Sequence, residues 1–165
     1  EIEGTGVVPT EGCNDAVIDW NCTIRLGNGV PMTYRSHGLM PDRDSGLAKL
    51  GNYAQLVGTE GWIALYYGGF VCEPESLRQV ALGPNDVHLP ESRNHERNFV
   101  DCVKSRATPV SNVDDAVRSD TISHVCDIAI REGRKLVWDP IKEEFHNDPA
   151  ASRRRERAVR EPWGR

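Results

Sequence analysis

Ile18-Asp19-Trp20-Asn21-Cys22-Thr23-Ile24-Arg25-Leu26 places an apolar side chain at every second position, with a polar one between each pair. That period of two describes a strand with one buried face. Gly27-Asn28-Gly29 then supplies residues that tolerate positive φ, and Val30-Pro31-Met32-Thr33-Tyr34 resumes the alternation. The stretch therefore predicts an antiparallel hairpin. Pro31 lacks an amide donor near the start of the second strand, which points to an edge or a bulge there.

Working outward, residues 38–50 read as a polar loop containing Gly and Asp. A second hairpin follows, with Tyr53–Val57 and Trp62–Tyr67 flanking the turn Gly58-Thr59-Glu60-Gly61. Trp62-Ile63-Ala64-Leu65-Tyr66-Tyr67 is apolar on both faces, which predicts cover on both sides or a subunit contact. Residues 71–90 suggest one or two further short strands, interrupted by Pro74, Pro84 and Pro90.

Beyond residue 90 the period changes. Within 94–106, Phe99, Cys102 and Val103 fall on one helical face. Ser111-Asn112-Val113-Asp114 has the form of a capping box. Ile122, Val125, Cys126, Ala129 and Ile130 then repeat at helical spacing until Gly133 supplies a stop, with Arg131 and Arg134 suited to the negative end of the helix dipole. Lys135-Leu136-Val137-Trp138 predicts a last short strand ended by Pro140, and Asp148-Pro149 a cap and start for a final helix that stops before Pro162. Strands first and helices after predict an α+β fold: an open, mainly antiparallel β-sheet backed by helices. We expect one domain over residues 1–165, strand-rich over 1–90 and helix-rich over 91–165, a length sufficient for one sizeable core.

The formal charge of −5 argues against generic nucleic-acid binding. It is unevenly spread, since residues 153–165 hold six Arg against two Glu and the remainder carries −9. An arginine-rich helix lying on its own acidic domain, or on a neighbouring subunit, accounts for this tail without a nucleic-acid or membrane partner. No apolar run approaches the roughly 18 residues of a membrane span. Cysteines 13, 22, 72, 102 and 126 are odd in number and lack C-x-x-C spacing, so reduced thiols are expected, with no disulfide framework and no zinc site. Asn21-Cys22-Thr23 matches the glycosylation pattern but lies in a strand, where the match reads as chance.

Several segments resemble the C-terminal domain of the glucose–fructose oxidoreductase / inositol dehydrogenase (Gfo/Idh/MocA) family. They are Asn94-His95-Glu96-Arg97-Asn98-Phe99-Val100-Asp101-Cys102-Val103-Lys104-Ser105-Arg106 with Pro109, and Ser123-His124-Val125-Cys126-Asp127-Ile128-Ala129-Ile130-Arg131-Glu132-Gly133-Arg134-Lys135-Leu136. The latter runs into Trp138-Asp139-Pro140-Ile141-Lys142-Glu143-Glu144-Phe145. Arg160-Glu161-Pro162-Trp163 and Gly58-Thr59-Glu60-Gly61-Trp62-Ile63 fit as well. The similarity is specific mainly from residue 94 onward. It implies a parent enzyme whose N-terminal Rossmann domain holds NAD or NADP, while a domain like this one walls the pocket of a sugar or cyclitol and builds a homo-oligomer through its sheet. The cofactor would carry the hydride chemistry and the protein would position it.

The dinucleotide fingerprint needs a Gly-rich turn between a strand and a helix. The nearest approach is Gly4-Thr5-Gly6, where Pro9 takes the third glycine position and no helix is predicted. The family's Glu-Lys-Pro and Asp-x-x-x-His segments are missing too, and Asp120-Thr121-Ile122-Ser123-His124 lies inside a helix of the tail match. We therefore expect no catalytic, cofactor-binding or metal residues here, with no turnover by the chain alone. The start at Glu1 suggests a piece of something longer, whose missing part holds the Rossmann domain and any export signal; the cytoplasm is the expected compartment. The alternative is a stand-alone, non-enzymatic module that binds carbohydrate or assembles with partners.

Candidate pocket-wall residues are Tyr34, Arg35 and His37 at the rim of the first hairpin, and Asn94 and His95 at a helix N-terminus, where free amides favour an oxyanion or sugar hydroxyl. Simple capping is the favoured explanation for Asn94 and His95, and a solvated strand face for Arg35. His37 with Asp42 and Asp44, and Asp86 with His88, fall short of a spaced set of three or four metal ligands.

Overall fold

A computed structural model describes residues 1–36, 46–156, 159, 161 and 162 of the chain. The alternating stretch forms β2 (Ile18–Arg25), and its hairpin partner is β3 (Pro31–Arg35). Cys22 pairs with Tyr34 and Ile24 with Met32. Leu26 N donates to Val30 O at 3.0 Å and Gly29 takes φ +85, closing the turn where the sequence supplies glycine. Pro31 opens β3, which is an edge strand, where a missing donor is tolerated.

β1 (Ile2–Val7) adds to the other side of β2 and was not anticipated from the sequence. Its apolar positions are interrupted by Gly4 and Gly6, so the period of two is invisible there. Thr5 pairs with Asn21 but Val7 with Ile18, so Asp19 and Trp20 oppose one residue. This is a β-bulge, and Asp19 accommodates it at φ +50.

The remaining strands are β4 (Tyr53–Val57), β5 (Trp62–Tyr66), β6 (Gly69–Glu73), β7 (Trp138–Asp139) and β8 (Glu144–Phe145). The helices are α1 (His95–Ser105), α2 (Val113–Glu132) and α3 (Pro149–Arg153). Every strand pairing is antiparallel, so the α+β reading holds, with the strands divided into sheets β1-β2-β3, β4-β5-β6 and β7-β8.

Two compact units emerge, Glu1–Met40 with Val117–Arg165 and Pro41–Ala116. In the first, α2 lays Val125, Cys126, Ile128 and Ala129 against Ile2, Cys22 and Ile24 of the sheet, and Leu136, Phe145 and Ala151 complete the core. Leu136 exchanges two 2.8 Å backbone hydrogen bonds with Ile2, extending the sheet beyond β1. The predicted strand at 135–138 is thus reduced to this bridge and two residues of β7. Gly133 at φ +63 ends α2 as its sequence position implies. Asp148 caps α3 by accepting from Ala151 N at 3.0 Å, and this helix ends at Arg153, well before Pro162.

The second unit holds β4-β5-β6, α1, and 3-10 helices at Gly46–Leu50 and Glu75–Gln79. One expectation is narrowed here. The segment 71–90 contributes only the end of β6 and the second 3-10 turn, because Pro74, Pro84 and Pro90 break the ladder. In the doubly apolar strand, among the described residues, only Ala64 is fully buried, Leu65 is 47% exposed and the adjoining Tyr67 is wholly exposed, so cover within the chain is partial and the subunit-contact alternative stands as an expectation. At the start of α2 the cap is Asn112 rather than Ser111. Asn112 Oδ1 accepts from Asp115 N at 2.9 Å, while its Nδ2 donates to the Asp115 carboxylate at 2.7 Å.

Candidate functional site

Adjacent strand residues point to opposite faces, and this separates two of the predicted wall residues. Tyr34, paired with Cys22, lies half-buried on the core side, its ring 5.7 Å from that of Trp20. Arg35, paired with Asn21, lies on the outer face, in a row that continues to Thr5 on β1. Glu3, Thr23 and Thr33 form the next row. These two rows offer hydroxyl, amide, carboxylate and guanidinium groups. His37, with Asp42 and Asp44, lies outside the described residues.

Asn94 and His95 belong to the other unit. Asn94 Oδ1 accepts from Arg97 N at 2.7 Å and so caps α1. His95 opens the helix and lines a shallow concavity of about 190 Å³ with Asn98, Phe99, Pro109 and Ser111. Asn98 holds the far wall by accepting from Val110 N at 3.0 Å. Tyr34 and Arg35 are therefore neighbours on one hairpin, and Asn94 and His95 neighbours on one helix start.

The sequence reading did not single out a larger groove of about 380 Å³, lined by Leu56–Ile63 and Leu77. At this groove the β4–β5 turn comes close against the end of β6. Gly61 allows this, since a side chain there would collide with the Glu73 carbonyl. The available signal was the combination of a glycine-flanked turn with a strand apolar on both faces.

Other candidate clusters resolve into structural roles. Asp86 accepts from Gly83 N at 2.7 Å and the His88 ring meets Gly83 O at 2.9 Å, so this pair fixes a turn. Asp120 and His124 form a 3.0 Å i,i+4 pair, each side chain more than 70% exposed. Among the described residues, no group of three or more His, Cys, Asp or Glu could hold a metal. Gly4 and Gly6 lie within an antiparallel strand and serve packing, because a Cβ would stand 2.5 Å from Cys22 Sγ at one and 2.5 Å from Val17 Cγ1 at the other.

Of the described tail arginines, Arg154 meets an acidic group of its own unit, in a cluster that also includes Arg134. Arg154 Nε donates to Glu132 at 2.5 Å, Arg134 donates to both Glu132 and Asp148, and Arg155 donates to the Glu143 carbonyl. The hydrogen bonds from Arg154 and Arg134 hold the Glu132 carboxyl below its usual range. Arg134 and the α3 amides lower Asp148 to about 2. No described helix is long and apolar enough to cross a membrane.

Among known families, residues 45–165 match the Gfo/Idh/MocA group described as the oxidoreductase family, C-terminal alpha/beta domain. No curated protein and no solved structure matched the chain. The matched region takes in β4 to β8 and all three helices, while β1, β2 and β3 precede it. Antiparallel sheets, helices gathered toward the C-terminus and a match over most of the sequence converge on one assignment: the chain belongs to the Gfo/Idh/MocA oxidoreductase family and carries its C-terminal alpha/beta domain.

Proposed function

We propose that the chain forms the substrate-wall and oligomerisation part of an NAD(P)-dependent oxidoreductase acting on a sugar or cyclitol, and that it is inactive by itself. The family match over residues 45–165 carries this reading. Inactivity follows from the chemistry: hydride transfer needs a bound nicotinamide. Gly4-Thr5-Gly6, the nearest approach to the nucleotide fingerprint, is committed to packing inside an antiparallel sheet instead of opening a helix toward a pyrophosphate. The nucleotide would be gripped by a Rossmann domain elsewhere in the parent enzyme. Arg35 and His37 on the first hairpin, and separately Asn94 and His95 at the start of α1, are the proposed wall residues, while Tyr34 of the sequence-predicted set faces the core. The second-unit sheet, through Leu65 and Tyr67, is the proposed contact with another copy.

Titration of the purified chain with NADH and NADPH tests the first part. No binding is expected, whereas micromolar affinity would overturn the assignment of the nucleotide site to another domain. The longer gene product, carrying the upstream segment, should bind the cofactor and oxidise a sugar or cyclitol. A second reading, a stand-alone carbohydrate-binding or assembly module, draws on the polar outer row of Thr5, Asn21 and Arg35. Sugar oxidation by the longer product would remove it. Light scattering that finds only monomer at high concentration would count against the sheet as a subunit contact.

A further inference from the structure

Asn28-Gly29 is the only Asn-Gly step in the chain, and both residues are exposed at the tip of the β2–β3 hairpin. The turn fixes the asparagine side chain, since Val30 N donates to Asn28 Oδ1 at 3.1 Å. Asn14 is held in the same manner: it is exposed, and its Oδ1 accepts from Ala16 N at 2.9 Å. The residue that follows sets the two apart. Asn14 is followed by Asp15, with its side chain, whereas Gly29 has none. Gly29 sits at φ +85, and even a Cβ built there would meet nothing within 4 Å.

We propose that Asn28 is a self-modification site, where the side-chain amide is lost to water and aspartate and isoaspartate form at the hairpin tip. Hydroxide takes the Gly29 N–H proton, and Gly29 N attacks Asn28 Cγ. The new C–N bond closes a five-membered succinimide, the Cγ–Nδ2 bond breaks, and ammonia leaves with a proton taken from water. Water then adds to one of the two ring carbonyls. Opening at Cγ gives aspartate with the main chain unchanged. Opening at the Asn28 main-chain carbonyl gives isoaspartate, whose main chain runs through Cβ and Cγ. Overall one amide and one water give a carboxylate and an ammonium ion, with no oxidation or reduction.

The turn supplies what this reaction needs. The Val30 amide is aimed at Oδ1, where negative charge builds as the nitrogen attacks, and so acts as an oxyanion donor. Glycine leaves the approach to Cγ uncrowded. One bond opposes it, because the Gly29 N–H is donated to Leu26 O at 2.9 Å and has to be released. That release is a local opening: residues 25–31 are all exposed, so it uncovers no buried side chain.

The two products differ in their effect on the hairpin. Aspartate keeps an oxygen to accept from Val30 N and takes the formal net charge from −5 to −6. Isoaspartate lengthens the main chain of the turn that sets the Ile24–Met32 and Arg25–Pro31 register. It therefore loosens β3, the strand that carries Arg35.

Ageing the folded full chain at neutral and mildly alkaline pH, followed by mass mapping of tryptic peptides, tests this. Residues 26–35 and 1–25 fall in different peptides, so Asn14 serves as an internal control. The expected result is a gain of one mass unit in 26–35, rising with hydroxide concentration and at least about tenfold faster than in 1–25. A protein isoaspartyl methyltransferase with labelled S-adenosylmethionine should methylate the aged chain, and amide exchange in β3 should be faster in the methylated fraction. Asn28→Gln, which would need a six-membered ring, should abolish both the mass gain and the methylation. An unmodified 26–35 peptide, modification only after unfolding in urea, or equal rates in the two peptides would each overturn the proposal. Unchanged exchange in β3 of the methylated fraction would overturn the effect assigned to isoaspartate.

Discussion

The two units spend similar sequence patterns very differently. Among the described residues, ten of the buried apolar side chains lie in the first unit and only Ala64 and Cys72 in the second. Yet the second contains the most apolar strand of the molecule and exposes Leu56, Leu65, Tyr67, Phe99 and Val103. The difference lies in what is laid over the sheet. In the first unit the C-terminal half of α2 packs on β1 and β2 through Val125, Cys126, Ile128 and Ala129, and β7, β8 and α3 add to the core, with Trp138 and Phe145 packed edge to face at 5.0 Å. In the second, Arg78 reaches over the Phe70 ring at 4.6 Å and donates to its carbonyl, a small cover for a three-stranded sheet. Apolar patterning makes a surface that can be buried; a second layer is needed to bury it.

This contrast can be broken most directly at Leu136, the largest fully buried side chain. Leu136→Ala should cost about 2–5 kcal/mol in urea unfolding, through lost transfer energy and the cavity left behind. Gly4→Ala comes next, at about 1–3 kcal/mol, because the new methyl must displace Cys22 Sγ in a packed core. Asn94→Ala sharpens the comparison from the other side. It should remove about 1 kcal/mol by uncapping α1, and amide exchange should rise in that helix before it does in α2. Leu65→Ala should change stability by only about 0.5 kcal/mol. A loss comparable with that at Leu136 would show that this side chain is covered in solution, and a concentration-dependent loss would identify the cover as another copy.

The smallest effect belongs to the surface charges around Glu132 and Asp148. Both carboxyls titrate below their ordinary values in the folded chain. Their contribution is therefore fully present above about pH 4 and is lost as pH falls toward 2. Thermal melts of the protein and of Asp148→Asn should differ at neutral pH and converge near pH 2. A gap that widens on acidification would mean the sign is wrong.

Local patterns were legible wherever one residue type had one structural use. The alternation of 18–26 located β2, the glycines of 27–29 its turn, and the spacing of Ile122 to Ile130 the buried stripe of α2. Gly133 and Asp148 were read correctly as stop and cap because positive φ and an accepting carboxylate are local requirements. β1 was missed because Gly4 and Gly6 answer to the Cys22 thiol and to Val17, partners about 10 to 20 residues away in sequence. Ser111 was preferred over Asn112 because both can cap, and only the Asp115 amide chooses between them. Of the candidate wall, Arg35 on the outer face and Asn94 at a helix start sit where the pattern put them. Tyr34 turned toward the core because its neighbour across the ladder is Cys22.

By itself the sequence determined the antiparallel strands, the helix carrying the buried stripe, and membership of an oxidoreductase family without a legible nucleotide fingerprint, since these rest on residue type and spacing. Tertiary structure alone decided which apolar faces are buried, that two distant chain segments share one core, and that Cys22 and Cys126 lie in the same buried cluster. Burial and contact depend on what arrives from elsewhere in the chain, and a local pattern only makes a face available for it.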